Sequence, residues 1–268
     1  MYQFKTLEDI SMHQLANCFN DAFSDYEQNI HFNEESLRYY LDASQVDLSL
    51  SFGAFFNNQL IGFILNSKGI YQEEKVVFDA GTGIVPSYRH QKVFTKLFEY
   101  TCTQLKKHQS KKYYLEVLQS NTHALSIYQK VGFQIAREYV VLVASGSKDK
   151  MDDVKCCSYL DFETFDTKHS VLPSYEQTTD MIHQQPSFYE VLYLSEDAYI
   201  IYAKRHGGII QIHYNDLSVL KKIITTLIHQ YPRSMAKNID VCYGDVITLL
   251  KECGYVETFL QYEMMKEL

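Results

Sequence analysis

Residues 81–92 read GTGIVPSYRHQK, and residues 121–133 read NTHALSIYQKVGF. The first stretch sets Arg89, His90 and Lys92 at the expected start of a helix, with no acid before Glu99. A helix N-terminus carries about half a positive charge, and each exposed cation beside it costs roughly 0.3–1 kcal/mol. An anion docked on the unpaired N–H groups removes the conflict, so the pattern points to a phosphate-type ligand. Cations splayed into solvent are the plainer alternative. The glycines belong to neither familiar nucleotide loop. GTGIVP approaches the dinucleotide fingerprint, but Pro86 fills its last slot and Ile84-Val85-Pro86 prolong a strand. The P-loop spacing is absent as well. Gly81 and Gly83 therefore mark a strand bulge or a close backbone approach.

The elements around these residues follow from hydrophobic period. Residues 2–6 read as a strand, 10–22 and 34–42 as helices, and SLSFGAFF and QLIGFILN as two strands of a hairpin closed at NNQ. Residues 75–85 form a longer strand and 90–108 a helix, with Val93, Phe94, Leu97, Phe98, Thr101 and Leu105 at helical spacing. YYLEVL at 113–118 is a strand, 122–131 a short helix ended by Gly132, and 133–143 further strand. The order is β-α-α-β-β-β-α-β-α-β-β. The unit 75–118 is a crossover, so its two strands should be parallel within a mainly antiparallel sheet.

The polar run SGSKDKMDDVK at 145–155 reads as a linker. Beyond it come strands near 191–194, 198–204 and 208–214, a helix at 217–231, a strand near 239–242 and a helix at 245–253. YQKVGFQIAREYVVL and LKECGYVETFLQYEM share helix, glycine, aromatic and strand in sequence, a weak internal repeat. Two like domains follow from it, residues 1–145 and 155–268.

Composition bounds the function. A net charge of −8 argues against nucleic-acid binding, and the basic run 106–112 suits a solvated helix C-terminus. The longest uncharged apolar run, YVVLVA at 139–144, is too short for a membrane, and no signal peptide is visible. Six cysteines without CxxC spacing read as reduced thiols in a cytoplasmic protein. His206 and His213 have no acids at metal spacing, so no metal is expected.

GIVPSYRHQKVFTKLF followed by YLEVLQSNTHALSIYQKVGF resembles the GNAT N-acetyltransferase superfamily, over about residues 1–145. Its members run strand, Arg/Gln-x-x-Gly-x-Gly/Ala, helix, strand, then Asn-x-x-Ala-x-x-x-Tyr-x-x-x-Gly-Phe. The second pattern is matched at Asn121, Ala124, Tyr128, Gly132 and Phe133. The first departs: Arg89 leads it, but Lys92 and Phe94 stand where glycines are usual. AFSDY at 22–26 and FDAGTGIVP also look like a two-domain subgroup. The resemblance implies an α+β GNAT fold on a mixed sheet, with a degenerate second domain. In that domain Leu250 takes the place of Tyr128, and Tyr243 that of Asn121.

The same resemblance implies acetyl-CoA as cosubstrate, attacked directly by a primary amine of a small molecule or peptide. Ile84 and Val85 would offer backbone N–H groups to the oxyanion, and Arg89, His90, Gln91, Lys92, Val93, Phe94 and Thr95 would cradle the pyrophosphate. Asn121 either bonds the pantetheine arm or caps its helix beside Ala124. Tyr128 would be the general acid for the departing thiolate, its alternative being a core tyrosine. Glu116 and Asp79 are the candidate bases, and Asp25 and Tyr26 would roof the acceptor site. A non-catalytic acyl-CoA-binding or sensor protein is the rival reading, and a transferase drawing on aminoacyl-tRNA a further one. The chain should act as a monomer or homodimer, without nucleic acid or membrane.

Overall fold

Short apolar runs bounded by turn residues become strands in the computed structural model, which describes residues 1–25, 31–146, 153–162 and 168–268. Two compact units result. The first is Met1–Leu115 with Ile127–Gln134 and Met264–Leu268; the second is Glu116–Ser126 with Ile135–Glu263.

In the first unit, β1 (Gln3–Thr6), β2 (Phe52–Phe56), β3 (Gln59–Tyr71) and β4 (Glu74–Ile84) pair antiparallel in chain order. The β2–β3 turn works because Asn57 and Asn58 both adopt left-handed backbone, at φ 49° and 64°. β5 (Lys112–Leu118) then joins β4 in parallel, from Val76↔Lys112 to Asp79↔Leu115, as the crossover through α3 (Val93–Lys107) demands. α3 buries Val93, Leu97, Phe98, Thr101 and Leu105, the expected stripe with Phe94 half-exposed at its edge.

Helix α1 (Met12–Ala22) is capped by Ser11, whose Oγ accepts from Gln14 N, and α2 (Glu34–Ala43) by a capping box of Asn33 and Ser36. Phe19 of α1 stacks on Phe63 of β3 with ring centroids 5.1 Å apart. The close seat of α1 depends on Gly83. A Cβ there would stand 2.9 Å from both Ala22 Cβ and Phe63 Cζ.

The second unit repeats the crossover. β8 (Tyr189–Ser195), β9 (Ala198–Ala203) and β10 (Gly208–His213) pair antiparallel, and β10 pairs in parallel with β11 (Met235–Asp240) through α7 (Leu217–Gln230). β11 also pairs antiparallel with β6 (Gln134–Ala144). The helix α4 (Thr122–Lys130) that precedes β6 and the helix α8 (Gly244–Glu252) that precedes β12 (Tyr255–Glu267) end alike. Gly132 and Gly254 both sit at φ 99°, a conformation a side chain resists. The core of this unit gathers on α7, whose Leu220, Ile223, Ile224, Leu227 and Ile228 are fully buried.

Several sequence expectations differ from what forms. α3 begins at Val93 rather than near residue 90, because His90 and Lys92 are left-handed, at φ 61° and 60°. One uninterrupted strand, β6, stands where two were expected to close the first half. Between 155 and 188 the chain holds β7 (Lys155–Ser158), α5 (Tyr159–Phe162) and α6 (Thr179–Gln184), too short to show a period. Residues 147–152 of the expected linker lie outside the described residues.

Gly83→Ala should lower stability by roughly 1–3 kcal/mol through overpacking, read as a fall in Tm. An unchanged Tm would show that α1 can retreat without loss.

Candidate active site

β4 is the spine of the site, and its register breaks once. Asn66 pairs with Asp79 but Leu65 pairs with Gly81, so Ala80 is the extra residue of a bulge. The bulge expected at the glycines thus lies one residue before them, while Gly83 is the close approach. Asp79 secures the turn of the strand: its carboxylate accepts from Gly81 N at 3.0 Å and from Thr82 Oγ1 at 2.6 Å. Burial pushes the Asp79 carboxyl up to about 7, against the lowering effect of those two donors. Tyr40 Oη donates to the Ala80 carbonyl and completes the hold.

Beyond the bulge the alternation of the ladder decides which amides are available. Val85 N donates to Ile61 O at 3.0 Å, so the Val85 N–H expected at an oxyanion is already committed to β3. Ile84 is the neighbouring non-bonded position of the same antiparallel pair, and its polar groups turn away from β3. Arg89 Nε donates to the Ile84 carbonyl at 3.0 Å, which fixes that peptide plane.

Arg89 therefore differs from its expected place on a pyrophosphate. Its remaining nitrogens form a fork on Asp25, at 2.6 and 3.0 Å, and bond the Ala22 carbonyl at 2.7 Å. The guanidinium holds the Asp25 carboxyl below the usual range. Asp25 is thus brought to Arg89 and ties the end of α1 to the end of β4. Tyr26 lies outside the described residues. Gln91 is also engaged locally, donating to Ser87 O at 2.9 Å and accepting from Tyr2 Oη at 2.6 Å.

The start of α3 remains open. Its first internal bond is Lys96 N to Lys92 O, and Lys92 gives no side-chain cap. The N–H groups of Val93, Phe94 and Thr95 have no intrahelical acceptor. Lys92, His90 and Thr95 are exposed beside them. An anion fits this terminus on charge and on unpaired donors. By contrast, the α7 N-terminus of the second unit is closed by Asp216, which accepts from Ser218 N at 2.6 Å.

Phe94, one residue into α3, carries the ring of Tyr128 edge-on, with centroids 6.1 Å apart. Tyr128 also meets Phe133 at 5.7 Å, and its ring is only half-buried. Asn121 caps α4, its Oδ1 accepting from Ala124 N at 3.1 Å. Glu116 belongs to a different neighbourhood: its Oε2 is 3.5 Å from Lys237 Nζ in the second unit. Lys237, on β11, carried no sequence signal, since its place depends on strand order.

The family model of the acetyltransferase (GNAT) family matches residues 12–133. This segment holds the β4 bulge, the open α3 terminus and Tyr128. Residues 12–133 are a GNAT-family domain. The GNAT likeness of the fold runs further, through the whole chain. A Pyrococcus horikoshii protein described as an acetyltransferase matches with a TM-score of 0.68 and 13% identity, over 100% of this chain and 89% of that one. A GCN5-related N-acetyltransferase from Sphaerobacter thermophilus matches at 0.67 and 11% identity, over 99% and 95%. The glucosamine N-acetyltransferase region of a fungal multi-domain β-N-acetylglucosaminidase gives 0.72 and 11% identity, over 99% of this chain and 38% of that one. No curated protein matches the sequence significantly. The GNAT fold here is α+β, and among the described residues no helix is long and apolar enough to cross a membrane.

Because Asp79 titrates near 7 when folded and near 3.8 when unfolded, its contribution to stability is full below pH 4 and is lost as pH rises through 7. Asp79→Asn should match the parent protein at pH 4 and exceed it by up to roughly 4 kcal/mol at pH 8. Parallel melting curves across that range would refute a buried, neutral carboxyl.

Proposed function

We propose that the chain is an acetyl-CoA-dependent N-acetyltransferase acting on a primary amine of a small molecule or peptide. The observation that carries this reading is the uncapped terminus of α3, flanked by Lys92 and His90, with Tyr128 packed on the helix one residue further in. Acetyl-CoA supplies an activated acyl carbon and a thiolate leaving group. Val93, Phe94 and Thr95 present backbone N–H groups for its pyrophosphate, and Lys92 adds a point charge. Left-handed backbone at Lys92 is the conformation a glycine in that position of the family pattern would favour, so the turn survives without the glycine at a cost in strain.

The Ile84 N–H, rather than that of Val85, is the oxyanion donor. Arg89 acts as a positioning residue, holding the Ile84 carbonyl while Asp25 holds Arg89. Tyr128 donates its phenolic proton to the departing thiolate. Asp79 serves the bulge. Asn121 caps α4, and residues 1–145 and 155–268 are read as the catalytic and degenerate domains. A cytoplasmic setting and a monomeric or homodimeric state complete the proposal.

Isothermal titration with acetyl-CoA tests the cofactor, and an absence of binding at millimolar ligand would overturn it. Tyr128→Phe should lower kcat by about a hundredfold and change coenzyme affinity little; an unchanged kcat would remove Tyr128 from the chemistry. Binding without acetyl transfer to any amine of a broad panel would favour the sensor, as would be natural if the Cβ atoms at Lys92 and Phe94 misplace the thioester. Lys92→Ala should weaken acetyl-CoA binding about fivefold at low salt and less at high salt. Lys92→Gly should melt higher than Lys92→Ala, because glycine relieves the left-handed backbone; the reverse order would place the strain elsewhere.

A further inference from the structure

Five aromatic rings of the first unit pack in a closed circuit beside the start of α3. Phe94 stacks on Phe98, one helical turn on, with centroids 5.7 Å apart and planes at 23°. Phe98 lies parallel to Tyr113 at 6.0 Å, and both meet Phe133, at 5.7 and 5.5 Å. Tyr128 closes the circuit through T-shaped contacts with Phe133 and Phe94, at 74° and 81°. Such contacts are directional, because the positive edge of one ring is drawn to the negative face of the other. Two of them from different elements fix the plane of the Tyr128 ring as well as its place.

The circuit has a floor and a rim. Phe98, Tyr113 and Phe133 are buried and belong to the core, and the Tyr113 hydroxyl donates to Asn66 Oδ1. Phe94 and Tyr128 form the half-buried rim.

Phe94 is the member of the circuit that also belongs to the anion site. Its N–H, with those of Val93 and Thr95, has no intrahelical acceptor, while its ring meets Tyr128. The GNAT pattern has a glycine at this position, which could offer the N–H but no ring. Phenylalanine at 94 therefore gives the tyrosine a wall and keeps the backbone donor.

We propose that Phe94 is a positioning residue for the acyl transfer, holding the Tyr128 ring in the orientation from which its phenol protonates the departing thiolate. In that step the phenolic O–H bond breaks, an S–H bond forms on coenzyme A, and a solvent proton restores the phenol. Phe94 acts through Tyr128 and touches no reacting atom. The role rests on the acetyltransferase reading; the ring contact itself does not.

Two substitutions and a double-mutant cycle test it, with the acceptor being whichever of a panel of primary amines and free-N-terminus peptides the parent turns over fastest. Phe94→Leu keeps an apolar side chain without a ring, and should lower kcat about tenfold while acetyl-CoA affinity holds within about twofold. Phe94→Tyr keeps the ring and should recover most of that loss. In a Tyr128→Phe background Phe94→Leu should cost nothing further, since the proton it positions is gone. NMR of ring-labelled tyrosine reads the contact without turnover. The Tyr128 signal, identified by its loss in Tyr128→Phe, should shift in Phe94→Leu and return toward the parent position in Phe94→Tyr. Equal kcat in parent and Phe94→Leu, or a loss of the same size with and without the Tyr128 hydroxyl, would overturn the role while leaving the acetyltransferase reading in place. A parent that binds no acetyl-CoA, or acetylates no amine, would sink that reading and the role with it, whatever the ring signal shows.

Discussion

One inserted residue in β4 governs the first unit. Up to Asp79 the strand serves β3 on one side and β5 on the other, and among the described residues its parallel pairing with β5 reaches no further. Ala80 then offsets the alternation against β3, so that Val85 bonds Ile61 and Ile84 turns its peptide outward. The offset would relax without support. Asp79 supplies it from within, through Gly81 N and Thr82 Oγ1, and Tyr40 supplies it from α2.

The charges around the bulge are divided by function. Arg89 is spent on local order: it spans Ala22, Asp25 and Ile84 and so joins α1 to the strand end. Lys92 sits three residues on, exposed, at a helix terminus with no side-chain cap. Two cations that look equivalent in a linear chain thus act differently, because a bidentate carboxylate pair satisfies a planar guanidinium and leaves the ammonium to solvent or ligand. The second unit keeps the crossover but caps its helix with Asp216, whose carboxylate accepts from Ser218 N, so the same topology carries a closed helix terminus there.

Much of this was legible in the linear chain. The stripe of α3, the parallel crossover, the Asn57-Asn58 turn and the terminal glycines of α4 and α8 all depend on interactions within a few residues, which period and turn chemistry express directly. The second half between 155 and 188 was not legible. Its elements are short, and tertiary packing rather than amphipathic period stabilises them.

By itself the sequence determined the α+β order, the cation-rich approach to α3 and the spacing of Asn121, Tyr128 and Gly132. It also narrowed the bulge to a few residues. Only the tertiary structure decided that Arg89 belongs to Asp25, that Ile84 rather than Val85 turns its N–H outward, and that Glu116 lies with Lys237 and Asn238. The reason is range. Helix period and turn propensity are properties of neighbouring residues, whereas ladder parity and the pairing of buried charges depend on strands far apart in the chain.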